Sequence, residues 1–259
     1  MQVDPKVHGL FGFMGNLGIF AAEAVQNVFT RKMEVQQLAL QLDEIGWRSL
    51  PLILTSGLAL GVVMTLHTRA TLAQFGAASM VPSAQAQAFL GELGPLIVGL
   101  LVAGRVGSGI GAELANMRAT EQIDALETLS IESFNFLVVP RILGCIIAMP
   151  LLTTFMDFCG LVGGFAADHM MSNISMQLYA DLAFSAVVWS NFIPTTLKTT
   201  VFGFIVGLVS SYYGYTMNEG ASGVRKAATK SVVFSSLLII LADVILVKLI
   251  MFFYPSSAI

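Results

Sequence analysis

The chain has 259 residues, of which 56% are hydrophobic and only 11% are charged. A soluble domain carries about 25% charged residues, so this composition excludes an ordinary water-soluble domain and indicates a membrane domain. The net charge of −3 indicates no nucleic-acid partner. The two cysteines, Cys145 and Cys159, lie in apolar runs, which favours inert buried thiols over a disulfide framework or a metal site.

The N-terminal region is interpreted as residues 1–46, separate from a transmembrane domain at 47–259. Residues 8–30 are moderately apolar and contain four glycines, which is typical of a helix lying in the membrane interface. Residues 34–46 have apolar side chains near helical spacing and predict a short amphipathic helix. The start of the chain lacks the basic segment of a secretory signal, so we predict no signal cleavage.

Five apolar blocks follow, each long enough for a helix that crosses a bilayer, which takes about 20 residues. They cover approximately residues 47–66, 89–115, 136–167, 184–213 and 231–254. The predicted fold is therefore all-α, with about five transmembrane helices. The sequence leaves open whether the first span crosses the membrane or is re-entrant. The residues that raise this question are Pro51, Gly57, Gly61 and the early Arg69.

Basic residues are distributed unevenly between the polar intervals. Lys and Arg occur in the N-terminal region and at 116–141 and 214–230, whereas 168–183 and the tail at 255–259 have none. Positively charged loops stay on the cytoplasmic side. Five crossings from a cytoplasmic N-terminus place every basic interval inside, which predicts a C-terminus on the outer side.

Motifs for chemistry within the chain are missing. The sequence has no G-x-x-x-x-G-K-[ST] segment, so it has no nucleotide phosphate cradle of its own. The glycine-rich run at 104–111 lies inside an apolar span without a preceding strand, which favours helix packing. No Ser/His/Asp or paired-carboxylate arrangement stands out, and catalysis is poorly supported.

Ionisable residues inside the apolar blocks are costly in lipid and usually face a bundle interior or a wet cavity. The candidates are Glu92, Arg105, Glu113, Asp157, Lys198, Asp243 and Lys248. Glu92 has two interpretations: a polar contact at the mouth of a substrate cavity, or a cap for a helix that Pro95 begins. Arg105 and Glu113 share a helix face two turns apart, so each needs a partner on another element.

The charge of Lys198 must reach water, a carboxylate or an anionic ligand. Either Glu92 or a lipid phosphate would satisfy it. Asp243 and Lys248 lie near the end of the fifth span, where snorkelling to the interface is the favoured interpretation.

The polar interval at 116–135 predicts a short cytoplasmic helix between spans two and three. Thr120 is the expected cap, and the expected apolar stripe consists of Ile123, Leu126 and Leu129. The opposite face is acidic, with Glu121, Asp124 and Glu127. Two interpretations stay open: a docking element for a soluble partner, and a loop helix lying on the membrane surface.

Four runs in this part of the chain resemble the MlaE (YrbE-like) permease family in order and spacing. They are GELGP at 91–95, AGRVGS at 103–108, AEL at 112–114 and MRATEQ at 117–122. The resemblance covers most of residues 50–250. It implies a homodimeric permease of an ABC transporter that moves phospholipids or related lipids between the bacterial inner membrane and the outer envelope.

The resemblance also implies partners and site residues. A cytoplasmic ATPase would bind ATP and Mg²⁺, with no cofactor in this chain, and a periplasmic MCE-domain protein and a small STAS-domain subunit would complete the assembly. The ATPase would dock on the helix that includes Thr120, Glu121, Gln122, Leu126 and Glu127. A lipid cavity at the dimer interface would be lined by Glu92, Leu93, Lys198, Met64, Leu72 and Phe75. The residues expected to form intramembrane polar pairs are Arg105, Glu113 and Asp243.

Three positions depart from the family pattern. Gly91 stands where an Arg commonly precedes the Glu, residues 65–70 (TLHTRA) replace a glycine-rich run, and Ser133 replaces a frequent Pro. Two other functions remain as alternatives: a membrane enzyme acting on lipids, with Glu92 or Glu113 as acid or base, and a non-transporting scaffold.

Overall fold

The structure is a computed structural model that describes residues 10–30, 35–187, 189–217 and 220–253. Every regular element in these ranges is helical, which confirms the all-α prediction. The α-helices are α1 (Leu10–Thr30), α2 (Val35–Ile45), α3 (Leu50–Gln74), α4 (Val81–Ala88), α5 (Gly94–Val102), α6 (Ser108–Ala119), α7 (Gln122–Thr128), α8 (Ser133–Ser172), α9 (Met176–Ser185), α10 (Trp189–Tyr215) and α11 (Gly220–Phe253).

Five helical stretches of the described chain are long and apolar enough to cross a membrane, as predicted. They are Val35–Gln74, Ala78–Ala119, Ser133–Ser172, Phe192–Tyr215 and Gly220–Phe253. Their ends differ from the predicted blocks, because α3 continues past residue 66 to Gln74 and α11 begins at Gly220 rather than near 231. Hydropathy marks the part of a helix that suits hydrocarbon, whereas the backbone hydrogen bonding continues into the polar flanks.

The second span is a nearly continuous helix interrupted by two π-helical segments. The first π segment is Phe89–Leu93 and the second is Ala103–Gly107. Pro95 lies in the first turn of α5, as the sequence predicts. The residue at the N-cap position is Leu93 rather than Glu92, and helical backbone continues back through the first π segment to Val81. Extra residues in a π segment change the hydrogen-bonding register, and such segments occur frequently at functional sites.

Close backbone contacts hold α3 against α8. A Cβ atom at Gly61 would collide with the carbonyl oxygen of Gly160, and one at Gly57 would lie 2.8 Å from the carbonyl oxygen of Met156. Small residues allow membrane helices to approach in this way. On the other side of α8, Gly203 of α10 meets the backbone at Cys145 just as closely.

The two N-terminal helices pack on the bundle. The Phe20 ring of α1 meets the rings of Phe134 and Tyr212 edge-on at 5.0 and 5.5 Å, and Ile45 of α2 is fully buried against the core that includes α8. The positions of α1 and α2 relative to a membrane surface stay predictions. The basic residues Arg31 and Lys32, like Lys6, His8 and the C-terminal tail, lie outside the described residues.

The interval at 168–183, which the sequence indicates only as polar, contains most of helix α9, which continues to Ser185. Its first turn is capped by Ser175, whose hydroxyl accepts a hydrogen bond from the backbone N–H of Leu178 at 3.3 Å. Tyr179 and Ala183 are buried, and the other face is mostly exposed. The short apolar stripe was too brief to distinguish from a loop.

The connections between helices cluster at two ends of the bundle. At the α7 end, the Ser133 hydroxyl lies 2.7 Å from the Tyr215 hydroxyl, so the start of α8 and the end of α10 meet beside α7. At the α9 end, Ser83 donates a hydrogen bond to the Leu182 carbonyl at 3.1 Å, so the start of α4 meets α9.

Candidate functional site

A buried lysine lies between two carboxylates where three helices meet. Lys198 of α10 has a side chain only 1% exposed, and its Nζ lies 2.8 Å from Oε2 of Glu92 and 3.0 Å from Oδ1 of Asp243. A charge inside a membrane bundle requires such partners. The sequence allowed water, a carboxylate or an anionic ligand as the partner of Lys198, and in the structure its partners are carboxylates. We call these three residues the Lys198 cluster.

The break in the second span contributes directly to this cluster. Pro95 has no N–H, so it cannot donate to a carbonyl in the preceding turn. Nζ of Lys198 lies 3.5 Å from the carbonyl oxygen of Gly91, within that turn. The first π segment therefore presents both the Glu92 side chain and a backbone acceptor to the same ammonium group.

The three charged side chains differ in exposure. The Glu92 side chain is 48% exposed, whereas that of Asp243 is 13% exposed. A Cβ atom built at Gly91 would meet nothing within 4 Å, so the space beside Glu92 is open. The cluster can offer a carboxylate to an incoming polar group while Lys198 stays covered.

For Asp243, the structure supports the predicted intramembrane polar pair and not the favoured interpretation of snorkelling. Snorkelling is wrong for this residue, because its carboxylate points into the bundle and meets Lys198. Lys248, one to two turns further along α11, is exposed. Hydropathy gives the depth of a residue along a helix but not the direction in which its side chain points.

The other predicted cavity residues lie on or near α3, apart from Leu93. Met64 and Leu72 are half-buried, and Phe75 is 78% exposed directly after α3 ends. Leu93 is half-buried at the end of the first π segment. A shared lipid cavity formed by these four residues and the Lys198 cluster stays a prediction.

The predicted short helix after the second span is present as α7, but its first residue differs from the expectation. Thr120 does not cap α7, because its hydroxyl donates to the Asn116 carbonyl at the end of α6. Glu121 occupies the cap position with a left-handed backbone (φ 60°). This sharp reversal lets α7 turn away from α6, and the Arg118–Asp124 ion pair spans the corner at 2.9 Å.

The two faces of α7 are only partly as predicted. Ile123 is fully buried and Leu126 packs against the same core, whereas Leu129 is 71% exposed and does not continue the apolar stripe. The helix ends at Thr128, so Leu129 no longer follows helical spacing. Glu121 and Gln122 are exposed, as a docking surface requires.

Glu127 joins α7 to the bundle. Its Oε1 accepts a hydrogen bond from the Ser133 hydroxyl at 2.8 Å, and the same hydroxyl meets Tyr215 of α10. A cavity of about 480 Å³ opens beside these residues. Its lining is Glu23, Asn27, Glu127, Ser130, Ile131, Glu132, Ser133, Phe134, Asn135 and Tyr215.

Arg105 and Glu113 have partners on different elements, as their spacing required. Nη1 of Arg105 donates to Oγ of Ser49 at 2.6 Å and to the Glu44 carbonyl at 3.3 Å. Oε1 of Glu113 lies 2.9 Å from Nη2 of Arg141, which is buried in α8. Both pairs connect the second span to neighbouring helices.

One polar cluster near the α9 end was missed. Arg69 of α3 pairs with Asp168 of α8, and the Gln85 side chain bonds with Thr65 and with the Tyr179 hydroxyl. Burial, together with the neighbouring Asp168 carboxylate, raises the pKa of Tyr179. The sequence placed Arg69 and Asp168 in polar loops, whereas both lie on helices that extend past the apolar blocks.

Comparison with known proteins agrees with this architecture. Residues 38–249 match the family described as Permease MlaE. A probable ABC transporter permease protein of Rickettsia typhi is 35% identical over 237 residues, which cover 92% of each chain. A probable ABC transporter permease protein of Synechocystis is 30% identical over 203 residues, or 78% of this chain and 77% of that protein.

A plant protein is also similar. Protein TRIGALACTOSYLDIACYLGLYCEROL 1, chloroplastic, of Arabidopsis thaliana is 30% identical over 228 residues, which cover 88% of this chain and 65% of that protein. With five apolar helices and a match over most of its length, the chain belongs to the MlaE permease family and is a multi-pass transmembrane subunit of an ABC transporter, which works with an ATPase partner.

Proposed function

We propose that this permease moves phospholipids or related lipids, and that the Lys198 cluster contacts the lipid headgroup. The observation that carries the proposal is the difference in exposure within the cluster. Glu92 is half-exposed beside the open position at Gly91, while Lys198 and Asp243 are covered. A lipid site combines a few fixed polar groups with apolar walls.

The similarity to the Arabidopsis protein supports a lipid substrate, since the name of that protein contains the name of a glycolipid. In the proposal, the acyl chains lie along Leu93, Met64 and Leu72, with Phe75 at the rim. The first span crosses the membrane as α3, whose 25 residues correspond to about 37 Å of helix. Two copies of the chain enclose the cavity.

The ATPase docks on α7 in this proposal and binds ATP and Mg²⁺. The exposed groups of α7 and its first corner, Glu121 and Gln122, lie at the end of the bundle where α8 begins and α10 ends. Glu127 lies beside the cavity at that end. Carboxylates on such a surface favour a basic contact on the partner.

Sidedness follows from the distribution of basic residues. The α7 end faces the cytoplasm of a bacterium and the α9 end faces the periplasm, with the N-terminus inside and the C-terminus outside. An MCE-domain protein then covers the α9 end and receives or delivers lipid, and a small STAS-domain subunit belongs to the cytoplasmic side.

The test is reconstitution of the permease with its ATPase in vesicles that contain labelled phospholipid, together with mass spectrometry of lipid that copurifies. We expect ATP-dependent lipid movement and a bound lipid that is lost in Glu92→Gln. Chemical turnover of lipid by the permease without nucleotide would instead favour the membrane enzyme. ATP-independent binding with no movement in any condition would favour the scaffold.

A second experiment tests the docking surface. Reversing two charges, Glu121→Lys with Glu127→Lys, should reduce copurification of the ATPase while the permease still inserts into the membrane. Asp181→Lys makes the same kind of change on the exposed face of α9, at the opposite end of the bundle, and should leave ATPase binding unchanged. If the ATPase copurified equally with the unmodified permease, the double variant and Asp181→Lys, that result would contradict docking on α7.

A further inference from the structure

Asp157 is a carboxylic acid buried in the middle of α8. The residue is 2% exposed, and both of its carboxylate oxygens are inaccessible. Neither oxygen has a hydrogen-bond partner in the part of the chain that the structure describes. An ionised carboxylate in such a position, with neither water nor a partner, would be strongly unfavourable.

The surroundings of Asp157 on its own helix offer no donor. The hydroxyl of Thr153, one turn earlier, donates to the Met149 carbonyl at 2.9 Å. Met156 and Gly160 are buried neighbours without a polar side chain. A hydrogen-bond donor or a cation for Asp157 would therefore have to come from the facing helices.

The facing part of the second span provides only backbone. A Cβ atom at Gly94 would collide with Oδ1 of Asp157, so the carboxyl group lies against the main chain directly after the first π segment. Gly94 is two residues from Glu92, so Asp157 contacts the second span close in sequence to a member of the Lys198 cluster. The contact joins α8 to the interrupted part of the second span.

The Lys and Arg side chains of α3, α8, α10 and the second span are already partnered. The Lys198 ammonium group has three protons, and it faces Glu92, Asp243 and the Gly91 carbonyl. On α3 and α8, Arg69 pairs with Asp168, and Arg141 pairs with Glu113.

The two arginines of the second span are occupied as well, since Arg105 donates to Ser49 and Arg118 pairs with Asp124. Ionised Glu92 and Asp243 would also repel a third carboxylate. None of these groups stabilises an ionised Asp157.

We infer that Asp157 is a proton-binding site, whose carboxyl group is neutral in this arrangement of the helices. A cation such as Ca²⁺ needs about six or more oxygen ligands, and the described residues contain no cluster of His, Cys, Asp and Glu that could hold a metal. A proton needs only the carboxylate itself. The ligand of this site is therefore H⁺.

The neutral acid links proton binding to helix packing. While α8 lies against Gly94, the group is dry and keeps its proton. Any movement that separates α8 from the second span admits water, and the O–H bond then breaks to release H⁺ and leave a solvated carboxylate. Proton occupancy thus favours the arrangement in which α8 packs against Gly94.

Infrared spectroscopy of the permease–ATPase complex in lipid nanodiscs tests this site. A protonated carboxylic acid absorbs separately from a carboxylate, and we expect its band at neutral pH in the unmodified protein. Asp157→Asn, which has nearly the same shape and no ionisable group, should remove this band. Glu113→Gln is the matched control, because Glu113 is half-exposed and paired with Arg141, and should leave it in place.

A second measurement uses the unmodified protein, so it does not require the Asp157→Asn variant to fold. Incorporation of ¹³C-labelled aspartate into the unmodified protein should shift the acid band. An absent acid band, a band that labelled aspartate does not shift, or a band that survives in folded Asp157→Asn protein would overturn the inference.

Discussion

The two π segments of the second span interrupt the same helix and hold opposite charges, yet they are used differently. The first presents Glu92, which meets a buried ammonium group and keeps an open side beside Gly91. The second presents Arg105, which meets the neutral hydroxyl of Ser49 just before α3 and the Glu44 carbonyl of α2. The first interruption leaves a charged group available to a ligand, whereas the second joins two helices.

Removing the cation of the first site should have the largest effect. Lys198→Ala leaves Asp243 covered and unpaired, and loss of one partner of a buried ion pair costs about 3–5 kcal/mol. We expect a large drop in the melting temperature of the purified complex and loss of lipid movement. Lys248→Ala removes an exposed lysine from α11 and should change neither measurement.

A compensated variant separates stability from function at the same site. Lys198→Met combined with Glu92→Gln and Asp243→Asn removes all three charges, so no unpaired ion remains. Thermal stability should largely return, while lipid movement should not. If lipid movement returned as well, the charges would have only a structural role, and the contrast between the two π segments would be lost.

Arg105→Ala should have an intermediate effect, and it should lower thermal stability rather than lipid movement. Hydrogen bonds to a charged donor contribute about 1.5–3 kcal/mol, so melting should occur at a lower temperature. Lipid movement per folded complex, measured well below that temperature, should be close to that of the unmodified protein. Glu92→Gln should show the reverse pattern, with a small change in melting and reduced lipid movement.

The smallest expected effect comes from adding a charge to the open position. Gly91→Arg meets no neighbouring atom at its Cβ and places a second cation beside Glu92. An exposed pair of this kind contributes about 0.2–1 kcal/mol, or at most about fivefold in relative affinity. Competition between anionic and zwitterionic lipids should shift toward the anionic lipid. An unchanged ratio would show that position 91 does not face the headgroup.

The sequence predicted the parts of this molecule that depend on properties of single helices. Apolar blocks located all five spans, and the cost of a charge in lipid identified Glu92, Lys198 and Asp157 as candidates. It predicted a polar pair for Asp243 but not that Lys198 is the partner, since that residue lies on another helix. The corner at Glu121 and the pairing of Arg69 with Asp168 were missed for the same reason: both depend on how separate helices meet.

The hydrogen bonds that link Glu127, Ser133 and Tyr215 have a mechanical consequence. Tyr215 ends α10, and Lys198 lies on the same continuous helix about 25 Å away at 1.5 Å per residue. A force applied to α7 would therefore reach one end of α10, a stiff helix that carries the Lys198 ammonium group further along its length. The helix therefore links the α7 end of the bundle mechanically to the Lys198 cluster.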